Sequence, residues 1–273
     1  MKLPKVFIAL LIVACISAAP ALAQEDEEFN YERAYKDYIY NFNLYQNAHS
    51  TYQLARNQYL QAKTLTSQNN ALEATRTMLQ ARDQTMITYL TAIRLKLAET
   101  PGLSDIIRDG LYSRIDQEVA WLNTHKENLT SAATLEDIVE DSNEARDRLG
   151  IQKTIAFDAM RDISSSTVQI HRQSTSDIIA QIRVKVSEIR GRQNKDTGVI
   201  ERWILETDNR VTRSLEKDLE AASEYVNLYD RRNIPTYLDY VKSVQFRFEE
   251  SIQYLKEANS YLKEIVKEIK TAD

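Results

Sequence analysis

Cysteine, proline and glycine are almost missing from this chain of 273 residues, which has one, four and five of them. A single cysteine, Cys15, can close no internal disulfide and cannot assemble a cysteine metal site. So few glycines and prolines cannot supply the turns of a sheet protein. Glycine is also too sparse for a phosphate-cradling loop: neither the dinucleotide fingerprint nor the P-loop pattern occurs. HExxH and GxSxG are missing as well. The three histidines, His49, His125 and His171, fall in separate segments, and none has a glutamate three residues before it. That removes the Glu-x-x-His pair of di-iron bundles. No apolar run beyond residue 23 approaches the ~20 residues that span a bilayer. The mild acidity is spread along the chain and leaves no basic face for a nucleic acid. No enzyme activity, metal or cofactor is expected from these residues.

The N-terminus reads as a cleavable secretory signal over residues 1–23. Lys2 and Lys5 precede an apolar stretch from Val6 to Ala19, and Ala21 and Ala23 are the small residues before a cut at Gln24. Removal of the two lysines would take the net charge from −5 to −7. Two competing readings are retention of this segment as an anchor and lipidation of Cys15 in Ile12-Val13-Ala14-Cys15. Membrane attachment is expected only through such an uncut or lipidated N-terminus. Residues 24–273 are expected to form the helical domain, with sub-units at 24–132 and 133–273.

What the chain does have is period seven. Tyr31, Tyr38, Tyr45, Tyr52 and Tyr59 recur every seven residues, with Ala34, Ala48, Ala55 and Ala62 three positions later. Seven residues make two helical turns, so these side chains share one stripe of one helix. The spacing predicts an all-α fold of about six helical segments, arranged as antiparallel coiled-coil hairpins in an elongated bundle. The first segment runs from Glu28 to Ser67, with a turn at Ser67–Asn70 or, in the competing reading, one continuous helix through this point. The second carries Leu72, Leu79, Met86 and Ile93 and stops at Pro101-Gly102. The third spans Leu103 to Leu129. The fourth opens at a Thr134 cap and runs to Arg192, with weak points at Gly150 and Ser164–Thr167 and a core stripe of Ile163, Ile170, Ile178, Ile182 and Ile189. The fifth spans Thr197 to Tyr229, its apolar residues including Leu215 and Val226. After a turn at Arg231–Pro235, the sixth has two clean heptad columns. Val241, Phe248, Leu255, Leu262 and Ile269 form one; Val244, Ser251, Ala258 and Ile265 form the other.

Seven of the fifteen tyrosines lie between Tyr31 and Tyr59, and six between Tyr225 and Tyr261. That symmetry predicts that the first and last helices pack together, ring against alanine. The five stripe tyrosines are therefore a candidate helix-packing or interaction seam. A carbohydrate platform is the competing reading, because tyrosine is stiff and amphipathic. The acidic run Glu136-Asp137-Glu140-Asp141-Glu144 reads as a solvated helix face near an N-terminus. The chain is thus expected to be secreted or held in the cell envelope, as a structural or protein-interaction element with a protein partner or a homo-oligomer. The alternative is a module binding envelope polysaccharide on an exposed tyrosine face.

Overall fold

The computed structural model describes residues 29–193, 196–229 and 237–272. The segment read as a signal, with Ala21, Ala23 and Gln24, and the turn expected at Arg231–Pro235 lie outside them. The described residues form six helices and no strand: α1 Tyr31–Ala62, α2 Leu65–Ala98, α3 Asp105–Asn128, α4 Leu135–Gln193, α5 Gly198–Tyr229 and α6 Tyr237–Ala272. Neighbouring helices pack as antiparallel pairs. None is long and apolar enough to cross a membrane. The chain divides into two compact units within α4, between Ile163 and Ser164.

In the N-terminal unit the ends of the helices follow from local side chains. The Asn30 side chain accepts from Arg33 N at 3.1 Å, and Tyr31 N donates to Glu99 Oε1 at 2.8 Å, tying the start of α1 to the end of α2. The turn expected at Ser67–Asn70 lies instead at Lys63–Thr64. Lys63 takes the left-handed conformation (φ 49°), and Thr64 and Ser67 close a reciprocal capping box over the first turn of α2. A second hydroxyl at the N3 position did what an acid usually does there. Between α2 and α3, Gly102 sits at φ 73°, where a side chain would be strained, and Ser104 caps α3. Thr134 and Asp137 exchange bonds at the start of α4: Thr134 Oγ1 accepts from Asp137 N, and Asp137 Oδ2 accepts from the amides of Ala133 and Thr134. Asp137 of the acidic run is therefore a cap, and these donors hold its carboxyl below the usual carboxylate range.

In the C-terminal unit, Ile179, Ile182 and Val186 of α4 meet Ile200 and Ile204 of α5 and Leu262 and Ile265 of α6 in one core. The α4 stripe differs from the expected one. Val168, Thr175, Ile179, Ile182, Val186 and Ile189 are buried, at spacings of seven, four, three, four and three, and Ile178 faces outward. The helix runs unbroken through Gly150 and the serine run. Ser164 and Ser166 are buried, and Ser165 donates to Asp218 of α5. On α5, Leu215 and Val226 are exposed, while Thr207, Ser214, Ala221 and Tyr225 face inward. Both heptad columns of α6 are buried, apart from a half-buried Ile269.

Candidate functional site

The tyrosine stripe is a packing seam in the N-terminal unit, and its partner is α2. Tyr38 and Tyr45 are buried, and Tyr31, Tyr52 and Tyr59 are half-buried. Tyr38 lies against Tyr89 of α2 with ring centroids 5.2 Å apart, and Thr85 Oγ1 donates to the carbonyl of Asn41 at 3.0 Å. Ala34, Ala55 and Ala71 are buried beside the rings, letting the two backbones approach. The period of seven shows only half of the stripe. Tyr35, Phe42 and His49 fill the alternate positions, so that Tyr31, Tyr35, Tyr38, Phe42, Tyr45, His49 and Tyr52 form one ladder with centroids 5.9–6.5 Å apart. Burial, with the neighbouring Tyr35, pushes the Tyr38 hydroxyl up to about 12, and burial raises Tyr89 as well. The seam of α6 is filled by α5, so the pairing of first and last helices expected from their tyrosines occupies neither seam.

A second constellation was not anticipated. His125 of α3 is 3% exposed and lies against the fully buried Asp83 of α2, Nδ1 to Oδ2 at 2.6 Å. Its Nε2 faces the carbonyl of Asp141 on α4 at 3.1 Å. Both ring nitrogens thus meet acceptors, an arrangement that favours the doubly protonated imidazolium. Burial alone would lower the imidazole, but the Asp83 carboxylate and the Asp141 carbonyl outweigh it, and the net direction is upward. Arg82 bonds the other Asp83 oxygen at 3.0 Å. Two turns back along α3, buried Glu118 accepts from Gln152 Nε2 at 3.0 Å and pairs with Arg148 at 3.1 Å. Trp121 completes the layer, stacked on His125 at 4.8 Å with the Arg148 guanidinium 4.7 Å from its ring. Arg114 and Asp158 join α3 to α4 a turn further on.

This network resembles the parts of an acid–base site, but every part is occupied. A general base needs a ring nitrogen free to accept a proton, and His125 has none. The carboxylates of Asp83 and Glu118 are each bridged by two donors. Among the described residues no group of three or more His, Cys, Asp or Glu could hold a metal ion. A shallow groove in the C-terminal unit is lined by Val186, Ser187, Ile204 and the ion-paired Arg190 and Glu201. The network was legible as an interruption of pattern. Asp83 falls between Leu79 and Met86 on the α2 stripe, and Glu118 and His125 alternate with Ile115, Leu122 and Leu129 on α3. Comparison with protein-family models, curated proteins and solved structures finds no match.

Proposed function

We propose that this chain is an exported, non-enzymatic helical protein that acts as a structural or protein-interaction element of the cell envelope or extracellular space. The observation that carries the reading is where its reactive side chains are spent. His125, Asp83 and Glu118 are consumed by bonds between helices, and the ring ladder is consumed in joining α1 to α2. What faces outward is helix surface with single large apolar residues, among them Tyr40, Leu54, Leu65, Leu205 and Leu219. Such surface offers a helix or protein an area to pack on but gives a small molecule no concave site. Burial of Tyr38 and Tyr45 takes the centre of the stripe away from a polysaccharide.

Fractionation of the producing cell tests the reading. The chain should be found outside the cytoplasm, with Gln24 as its first residue by N-terminal sequencing. Photo-cross-linkers at Tyr40 and Leu205 should give discrete adducts with protein. Retention of the uncut chain in the cytoplasm, or binding of labelled envelope polysaccharide that is lost in Tyr40→Ala, contradicts it.

A further inference from the structure

We infer that the overhanging end of the α1–α2 hairpin is a self-association surface, and that it is covered by the same surface of a second copy of this chain. The inference rests on the interaction reading above and names its partner. One apolar column runs the length of α2 at intervals of seven: Leu65, Leu72, Leu79, Met86 and Ile93. Its burial changes abruptly along the helix. Leu79, Met86 and Ile93 are buried, Leu72 is half-buried, and Leu65 is 73% exposed against 1% for Leu79.

The cause is the end of α3, which roofs this face of α2. The bonds from α2 to α3 and to the link after it run from Arg94–Asp116 through Asp83–His125 and Lys126–Gln84 to Arg76, which donates to the carbonyls of Leu129 and Ala132. Among the described residues these bonds stop at Arg76, and the hairpin continues past them. About ten residues of each helix project, on the order of 15 Å at 1.5 Å per residue. The two helices still hold each other there through buried Ala55, Ser67 and Ala71.

Two properties of the overhang select its occupant. First, its charge is sparse: between Asp37 and Glu73 only Arg56 and Lys63 are charged, in a chain where 27% of residues are. A surface stripped of charge meets its own copy without like-charge repulsion. Second, the pattern is self-complementary. Leu65, Gln68 and Leu72 are spaced three and four, a heptad seam with a polar residue at its middle. Turned antiparallel about a two-fold axis at Gln68, Leu65 of each copy covers Leu72 of the other. The two Gln68 amides then meet at the axis and fix the register, as a single polar seam residue does in coiled coils. The same register sets Lys63 of one copy beside Glu73 of the other, a cation against an anion at both ends. Glu73 is ion-paired on its own helix with Arg76, but its side chain is 65% exposed. Two hairpins joined in this way complete a four-helix layer.

Light scattering on the purified chain should give twice the mass of one chain. Leu65→Glu, at an exposed position that leaves the monomer's interior alone, should return it to the mass of one. Lys63→Glu should raise the dissociation constant, and adding Glu73→Lys should restore it. With Cys15→Ser as background, Gln68→Cys should form disulfide-linked pairs in non-reducing gels, while Asn47→Cys, exposed on α1 away from the overhang, should not. A wild-type mass of one chain overturns the proposal, as does a dimer that persists in Leu65→Glu without a Gln68→Cys cross-link. Flotation of a monomer on anionic vesicles, lost in Leu65→Glu, would overturn it in favour of a lipid surface. The envelope adducts at Tyr40 and Leu205 are read separately, so failure of the dimer is distinct from failure of the interaction reading.

Discussion

Both units bury branched aliphatics between their helices, but the N-terminal unit adds rings and charges where the C-terminal unit adds hydroxyls. Asp83, Glu118, His125 and Asp158 are buried in the first. Among the described residues of the second, the buried polar side chains are all serine or threonine: Ser164, Ser166, Thr175, Thr197, Thr207, Ser214 and Ser251. Ion pairs occur in both, at different depths. Arg183–Asp208 and Arg190–Glu201 run along one side of α5 and Arg210–Glu257 and Lys217–Glu250 along the other, at the rim of the apolar core. Arg172–Asp218 is the one pair among these that is nearly buried, with 12% and 16% of its side chains exposed. A buried charge tolerates one partner in one place, because leaving it unpaired is costly. A buried hydroxyl can turn back to its own helix, as Thr207 does to the carbonyl of Trp203 at 2.7 Å. Register in the N-terminal unit is therefore enforced by polar pairing, and in the C-terminal unit by the shape of a heptad seam.

The largest expected break in this comparison is Asp83→Ala. It strands an imidazolium inside the N-terminal unit and should cost about 3–5 kcal/mol, as removal of one member of a buried pair does. Ser251→Ala in the C-terminal unit removes a bond of 2.8 Å to Ser214 Oγ and another to the Ser214 carbonyl, and should cost about 1–3 kcal/mol. The chain has one tryptophan in each unit, Trp121 and Trp203. Urea unfolding followed by fluorescence in Trp203→Phe reports the first unit, and in Trp121→Phe the second. Equal losses from the two substitutions would erase the distinction.

How much of this was legible beforehand differs between the units for the same reason. In α6 the two heptad columns were read residue by residue, because aliphatics at a seam announce themselves by pattern alone. The tyrosine period gave α1 its buried face, but not its partner: a tyrosine-rich stripe at each end of the chain looks complementary, yet the short Lys63–Thr64 turn makes α2 the nearest surface, with Tyr89 there to receive Tyr38. On single helices the polar network shows only as interruptions of the apolar stripes at Asp83, Glu118 and His125; its pairing is not readable there, since Asp83, His125 and Asp141 come from three helices. On α4 and α5, isoleucine, leucine and valine were over-weighted. The seam uses Thr175, Thr207 and Ser214, so Ile178, expected on the α4 core stripe, lies outward, and Leu215 of α5 is exposed.

A pH series sharpens the contrast without a mutation. His125 gains a carboxylate partner on folding, so its proton is held more tightly in the folded chain than in the unfolded one. Stability from the pair is complete below the free imidazole value, about 6.5, and is lost as pH rises through the higher folded value. The urea midpoint of the N-terminal unit should fall across it, by less than Asp83→Ala costs because Arg82 still pairs with Asp83. The C-terminal unit should show no matching step, and His125→Gln should abolish the step in the first. A step of equal size in both units would assign the effect elsewhere.

The smallest expected effect is the most specific to the comparison. Arg183 and Asp208 pair across α4 and α5 with 55% and 35% of their side chains exposed, and water and salt screen such a pair. Arg183→Ala should therefore cost no more than about 1 kcal/mol, and less as salt is added. Asp83→Ala should be almost indifferent to salt, because ions do not reach a buried partner. Measured at low and high salt, the two substitutions separate depth from charge. If Arg183→Ala costs as much as Asp83→Ala, the ion pairs of the C-terminal unit carry its register after all, and its heptad seam is only filling.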